Sequence, residues 1–225
     1  MASNSVSPAR PTSANETPLQ VTSHLQALSG LLGGQADAVI WTRDVPVGVQ
    51  SWLDSLPAAQ LPTGRLLVKA ADVSACMTGL CEAAGLSPHP ALDWLCEDTA
   101  RLALYICDAF DAPYIRLRLE AVSDDACRKF HIDNLVSRLI CTYRGPGTQI
   151  SLDASESDPS PIHDVPTGAP ILLKGRLWPQ SQDLTLRHRS PPISGTGITR
   201  LVLVLEGASE EDAAAAEHDA WYARH

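Results

Sequence analysis

The sequence predicts an α+β fold: a mainly helical N-terminal half, then an antiparallel sandwich or jelly roll, then a closing helix. Three observations carry that reading. Up to about residue 112 the apolar side chains recur mostly at helical spacing. From Pro113 the texture changes to short alternating runs separated by Gly/Pro turns, with no helical pattern between them. The last stretch, from Ala208, is Ala-rich and acidic and reads as one more helix.

The elements follow in order. Residues 1–18 are rich in Ser, Pro, Thr and Asn and hold almost no large apolar side chains, so they read as a disordered tail. Residues 19–112 form the mainly helical part. Leu25, Leu28, Leu31 and Leu32 predict a first helix over Val21–Leu32, stopped by Gly33-Gly34. Ala38–Trp41 reads as a strand, Val47–Leu56 as a helix striped by Val49, Trp52, Leu53 and Leu56, and Arg65–Lys69 as a second strand. Ser74 is placed to cap a helix ending at Gly85. Pro90 opens a longer helix whose stripe is Leu92, Leu95, Cys96, Thr99, Leu102, Ala103 and Ile106, with His89 in the loop before it.

Residues 113–207 form the β core. In Tyr114–Val122, Ile115, Leu117 and Leu119 alternate with Arg116, Arg118 and Glu120, as in a half-buried strand. Further strands are predicted over 129–133, 135–143, 171–174, 184–188 and 199–206, with a turn at Arg144-Gly-Pro-Gly147. Residues 208–225 close the chain as the acidic helix.

Composition excludes some classes of function. The 225 residues are 44% hydrophobic and 19% charged, with a formal net charge of −9. Such a chain lacks the basic footprint that phosphate backbones require, so nucleic acid is not an expected partner. No apolar run is long enough to cross a bilayer. The start of the chain lacks the basic and apolar regions of a secretory signal, which argues for the cytoplasm. There the six cysteines, none in a Cys-x-x-Cys pair, are expected as free thiols in apolar surroundings. Substrate and oligomeric state are left open.

The chemistry concentrates between Lys129 and Glu206. In an extended segment residues i and i+2 share a face, so His131 and Asp133 of Lys129-Phe-His-Ile-Asp-Asn134 would project together. His188 lies 57 residues on and Arg200 a further 12. Two imidazoles and one carboxylate suit a divalent first-row metal and leave adjacent coordination positions open. Arg200 shares its strand face with Val202 and Val204, and a buried guanidinium in apolar company calls for an anionic partner.

At these residues the sequence resembles the iron(II)/2-oxoglutarate oxygenase superfamily, whose motif is His-x-Asp, a distant His and an Arg on the following strand. The resemblance spans about Pro113–Glu206. Over nearly the whole chain, the blocks Lys129–Asn134, Cys141–Thr148, Leu173–Trp178 and His188–Pro192 look like the family of domain of unknown function 1826. The resemblance implies a double-stranded β-helix, the jelly-roll or cupin-like core, with Fe(II) on His131, Asp133 and His188. It also implies the distal carboxylate of 2-oxoglutarate on Arg200, helped by Ser190, and hydroxylase-type dioxygenase chemistry. A metal-holding protein without enzymatic activity is the alternative, and Arg200 separates the two, because a plain metal holder needs no anion-binding residue.

Overall fold

The computed structural model describes residues 17–34, 36–125, 127–153, 161–179 and 184–222. Its centre is a seven-stranded sheet in the order β1-β2-β8-β5-β10-β4-β3, accompanied by a three-stranded sheet in the order β7-β6-β9. The strands of the large sheet are β1 (Leu19–Thr22), β2 (Ala38–Trp41), β3 (Gly64–Val68), β4 (Tyr114–Val122), β5 (Ser137–Arg144), β8 (Pro170–Lys174) and β10 (Arg200–Ala208). Those of the small sheet are β6 (Gln149–Ser151), β7 (Ile162–Asp164) and β9 (Arg187–Arg189). Adjacent strands run antiparallel except β1 and β2, which are parallel.

The sequence of β10 explains why the large sheet is buried on both faces. Leu201, Leu203 and Leu205 enter one hydrophobic core with Leu53, Met77, Leu95, Leu102 and Ile106 of the helices. Val202 and Val204, one residue out of phase, enter a second core with Ile140, Ile150, Ile171 and Leu186. A run apolar at five successive positions, Leu201–Leu205, is what burial on two sides demands. The result is three layers: helices, large sheet, small sheet. The helices are α1 (Gly30–Gly33), α2 (Val47–Ser55), α3 (Val73–Ala83), α4 (Pro90–Ala109) and α5 (Glu210–Tyr222).

The predicted stripe of α4 is buried throughout. Pro90 stands in its first turn as expected, and His89 is more than a loop residue. It is the N-cap, its Nδ1 accepting from the amide of Ala91 at 3.1 Å, and its ring stacks on Trp52 at 5.1 Å between centroids. A helix cap also opens α5, where Ser209 and Asp212 bond each other's amides reciprocally.

Several expectations are corrected. The helix over Val21–Leu32 is replaced by β1, a 3-10 turn over Leu25–Ser29 and the short α1. Pairing of Leu19–Thr22 with Ala38–Trp41 captures the β-branched end of that segment, so tertiary pairing overrides the helical spacing. Ser74 does not cap α3; the helix begins one residue earlier, behind Asp72. The strand over 129–133 reduces to a single bridge between His131 and His188. The strand over 184–188 shortens to β9, because Leu184–Leu186 hang on Asp37, whose Oδ2 accepts from the amides of Thr185 and Leu186 at 2.9 and 3.0 Å. Strands β6 and β7 were not foreseen, and His163, expected in a loop, sits in β7. The expected tail, 1–18, lies outside the described residues apart from Thr17 and Pro18, and so does His225.

Among the described residues no helix is long and apolar enough to cross a membrane.

Candidate metal and anion site

Three donors converge where the small sheet meets the segment before β5. One ligand atom each from His131, Asp133 and His188 lies within 4.8 Å of the others. Three local devices put them there. The central residue of β9, His188, pairs with the buried Ile150 of β6 on one side. On its other side it exchanges two backbone hydrogen bonds of 3.0 Å with His131. Asp133 is fixed from behind: its carbonyl accepts from the amide of Arg176 at 2.9 Å, and the Leu135 carbonyl accepts from Leu177 at 3.0 Å. This close approach requires glycine at 175, where a Cβ would stand 2.0 Å from the Leu135 carbonyl oxygen.

The side chains are oriented for ligation. His131 Nδ1 is 2.8 Å from the Lys129 carbonyl, which makes that nitrogen the donor and leaves Nε2 free to face Asp133 at 3.5 Å. His188 Nε2 stands 3.3 Å from Asp133 Oδ2. That carboxylate oxygen is buried and accepts no hydrogen bond, whereas Oδ1 is held by Arg138 at 2.8 Å. A buried carboxylate oxygen without a donor is costly unless something positive occupies the gap. Two imidazole nitrogens and this oxygen suit a divalent cation, so the residues fit the metal.

The electrostatics agree. Burial alone would raise the Asp133 carboxyl, but His131, His188 and Arg138 hold it well below the usual carboxylate range, so it is anionic. Desolvation lowers the His188 imidazole against the pull of Asp133, which favours the neutral, ligating form. His131 is raised, chiefly by its contact with Asp133.

A cavity of about 540 Å³ opens beside these donors, lined by His131, His188, Ser190 and Arg200 among others. Arg200 is among the most buried side chains of the protein, 1% exposed. Its Nε donates to the Pro146 carbonyl at 2.7 Å and a terminal nitrogen to Thr142 Oγ1 at 3.1 Å. Among the described residues no carboxylate pairs with it. Burial pushes its pKa down to about 10. The ladder between β5 and β10 shifts register between Leu201 and Val202, next to the arginine, as irregularities beside functional sites often do. Gly145, with φ of 77°, lies against it, and a Cβ there would be 3.0 Å from the Arg200 Cγ.

Sequence reasoning thus named the five residues that the fold brings to one place, and it missed their support. Arg138 bonds both Asp133 and Glu206, the latter at 2.5 and 2.8 Å. The signal was available, because Arg138 is in phase with Ile140 and Thr142, and Glu206 with Arg200 and Val204. Thr142 serves Arg200, while Tyr143 points to the helical side and donates to Asp98 at 2.8 Å. Lys174 reaches the Gly34 carbonyl at 3.0 Å, away from the cavity, and Trp178 packs edge-on against Phe110 at the helical core. Cys127 lines the cavity but is no part of the donor cluster.

Comparison with solved structures gives the following likenesses. The dioxygenase for auxin oxidation 1 from Arabidopsis thaliana, solved as a binary complex with 2-oxoglutarate, is similar with a TM-score of 0.50 over 88% of this chain and 94% of its own, at 8% identity. The dioxygenase for auxin oxidation in rice gives 0.46 over 88% and 85% at 14% identity. A full-length Neurospora crassa protein solved in complex with alpha-KG gives 0.43 over 90% and 88%, also at 14%. At 8% identity the first of these likenesses is one of fold. No curated protein sequence matches the chain. The profile of one family, described as "Protein of unknown function (DUF1826)", matches residues 22–206, and the chain belongs to that family.

Proposed function

We propose that this protein is a non-haem Fe(II)/2-oxoglutarate-dependent dioxygenase, with the metal on His131, Asp133 and His188 and the distal carboxylate of 2-oxoglutarate on Arg200. The observation that carries the reading is a pair of deficits at one place: a buried Asp133 oxygen that lacks a donor, behind two histidines that line the cavity, and a buried guanidinium lining the same cavity that lacks an anion. The fold likeness to a dioxygenase solved with 2-oxoglutarate supports it. A protein that merely holds a metal would have no use for Arg200, since a lone cation in apolar surroundings is destabilising.

Bound Fe(II) supplies the oxygen activation and the oxidative decarboxylation of 2-oxoglutarate to succinate. The chain's own residues bind and orient. Arg200 presents a planar fork to a carboxylate, with Thr142 and the Pro146 carbonyl fixing its plane. Ser190, two residues beyond His188 and lining the same cavity, is placed to donate a second hydrogen bond to that anion. The Lys129 carbonyl fixes the His131 tautomer, and Arg138 keeps Asp133 ionised and turned toward the imidazoles. The valines of β10 keep water from the floor of the site.

The test is an anaerobic titration of metal-stripped protein with Fe(II) and then 2-oxoglutarate, following the visible metal-to-ligand charge-transfer band. Wild type is expected to give the band and Arg200→Ala to weaken it by roughly tenfold or more in 2-oxoglutarate affinity. Metal binding with no band would favour the metal-holding reading, and no metal binding would sink both.

A further inference from the structure

Five arginines line the cavity; the chain's own groups take three of them and the proposed cosubstrate a fourth. Arg200 is committed to the cosubstrate. Arg138 is bound to Asp133 and Glu206, and Arg65 to Glu120 at 2.6 Å. Arg189 donates to Gln149 Oε1 at 2.8 Å and stacks over Phe130 at 4.4 Å. The fifth, Arg118, forms no hydrogen bond among the described residues. It projects from β4 on the inner face of the large sheet, opposite Val204 of β10 and beside Arg65 of β3. Its nearest carboxylate oxygen is Glu206 Oε1 at 3.9 Å, the same atom that Arg138 already takes at 2.5 Å. Its side chain is 28% exposed, so it is partly stripped of water yet still accessible from the cavity.

The charges give the same answer. A divalent metal and Arg200 are balanced by Asp133 and the two carboxylates of 2-oxoglutarate once Arg138 and Glu206 neutralise each other. Arg65 with Glu120, and Arg189 with Asp124 of the cavity lining, also sum to zero. One positive charge is left, on Arg118. We propose that Arg118 anchors a single carboxylate of the substrate, so that this enzyme acts on a small monoanionic acid held against the β3–β4 wall while the metal acts on its apolar part. The inference rests on the oxygenase reading. The cavity volume falls within the roughly 300–1,000 Å³ of small-molecule sites, which leaves room for a substrate beside the cosubstrate. A phosphate monoester, carrying nearly two charges, would overcompensate the lone arginine.

Calorimetric titration of the protein loaded anaerobically with Fe(II) and 2-oxoglutarate tests this, with phenylacetate and hexanoate as probes, each set against its neutral amide. Wild type is expected to prefer at least one acid over its amide by roughly tenfold, Arg118→Gln to lose the preference, and Arg118→Lys to keep part of it. The charge-transfer band should be unchanged in both variants, because Arg118 takes no part in holding metal or cosubstrate. Preference for neither acid in wild type, or a preference that survives in Arg118→Gln, would overturn the proposal. A missing band in wild type would remove the oxygenase reading instead, and the acid–amide comparison would still decide whether Arg118 binds carboxylates.

Discussion

Asp133 divides its labour between two oxygens, and the division can be measured. Oδ1 is spent on Arg138 and Oδ2 is left for a ligand. Asp133→Asn keeps the shape but removes the charge and turns one acceptor into a donor. Mn(II) or Fe(II) affinity by calorimetry is expected to fall on the order of a hundredfold or more. Arg138→Gln, which only loosens the carboxylate, is expected to cost about tenfold, in line with groups that support a ligand from behind. Equal losses in the two variants would mean that Arg138 does more than position its neighbour. These five residues could be named from the sequence because their side-chain chemistry suits a metal and an anion, and the fold brings them together even though the strand expected over 129–133 is only a bridge. The support that Arg138 gives Asp133, and its pairing with Glu206, was not legible because each looks like an ordinary exposed strand charge until its neighbours on the adjacent strands are known.

At the scale of elements, helix and sheet are joined by an ion pair that no local pattern announces. Arg43 follows β2, Asp98 lies in mid-α4, and they form a bidentate pair of 2.5 and 2.6 Å, with Arg101 and Tyr143 on the same carboxylate. Asp98→Ala would strand Arg43 and is expected to cost about 3–5 kcal/mol in chemical denaturation. Burial alone would raise the Asp98 carboxyl, yet Arg43, Arg101 and Tyr143 bring it below its ordinary 3.8. The stabilisation is therefore fully present above pH 3.8 and is lost as pH falls through the depressed value, so acid unfolding should begin earlier in wild type relative to neutral stability than in Asp98→Asn. Gly175 ties another pair of elements. Gly175→Ala forces the β8 end away from the segment carrying Asp133, with an expected loss of about 1–3 kcal/mol and weaker metal binding. Unchanged metal affinity would show that the segment holds its place without that contact. The strands with a clear period of two, such as β4, were legible in the sequence, as was α4 with its stripe. The first predicted helix was misread because Leu25, Leu28, Leu31 and Leu32 mimic a helical stripe while the preceding residues are claimed by β2. Three-residue strands such as β6 and β7 carry too few side chains to show any period.

Across the whole molecule, the large sheet is a wall cored on both sides, and the proposed metal ligands sit on its thinner cover. Metal binding should stabilise the fold by mass action. At a free Mn(II) concentration of roughly 100 times Kd the gain is about 2.7 kcal/mol, or roughly 5–10 °C in Tm for a chain of this size. Differential scanning calorimetry with and without Mn(II) checks this, and the increment should vanish in Asp133→Asn. An increment that persists in the variant would place the bound ion elsewhere. The single bridge between His131 and His188 has a kinetic meaning as well. The ladder between these ligand segments is short, the two backbone hydrogen bonds of the bridge with a third from the Ser190 amide to the Cys127 carbonyl at 2.9 Å, so they can part in a local fluctuation while the sheet stays intact. Ion entry and exit then run on the clock of that latch and not of global unfolding. Amide deuterium uptake at His131 and His188 would fall sharply on loading while the amides of β10 kept their pace, as if a finished scaffold were being buttoned shut.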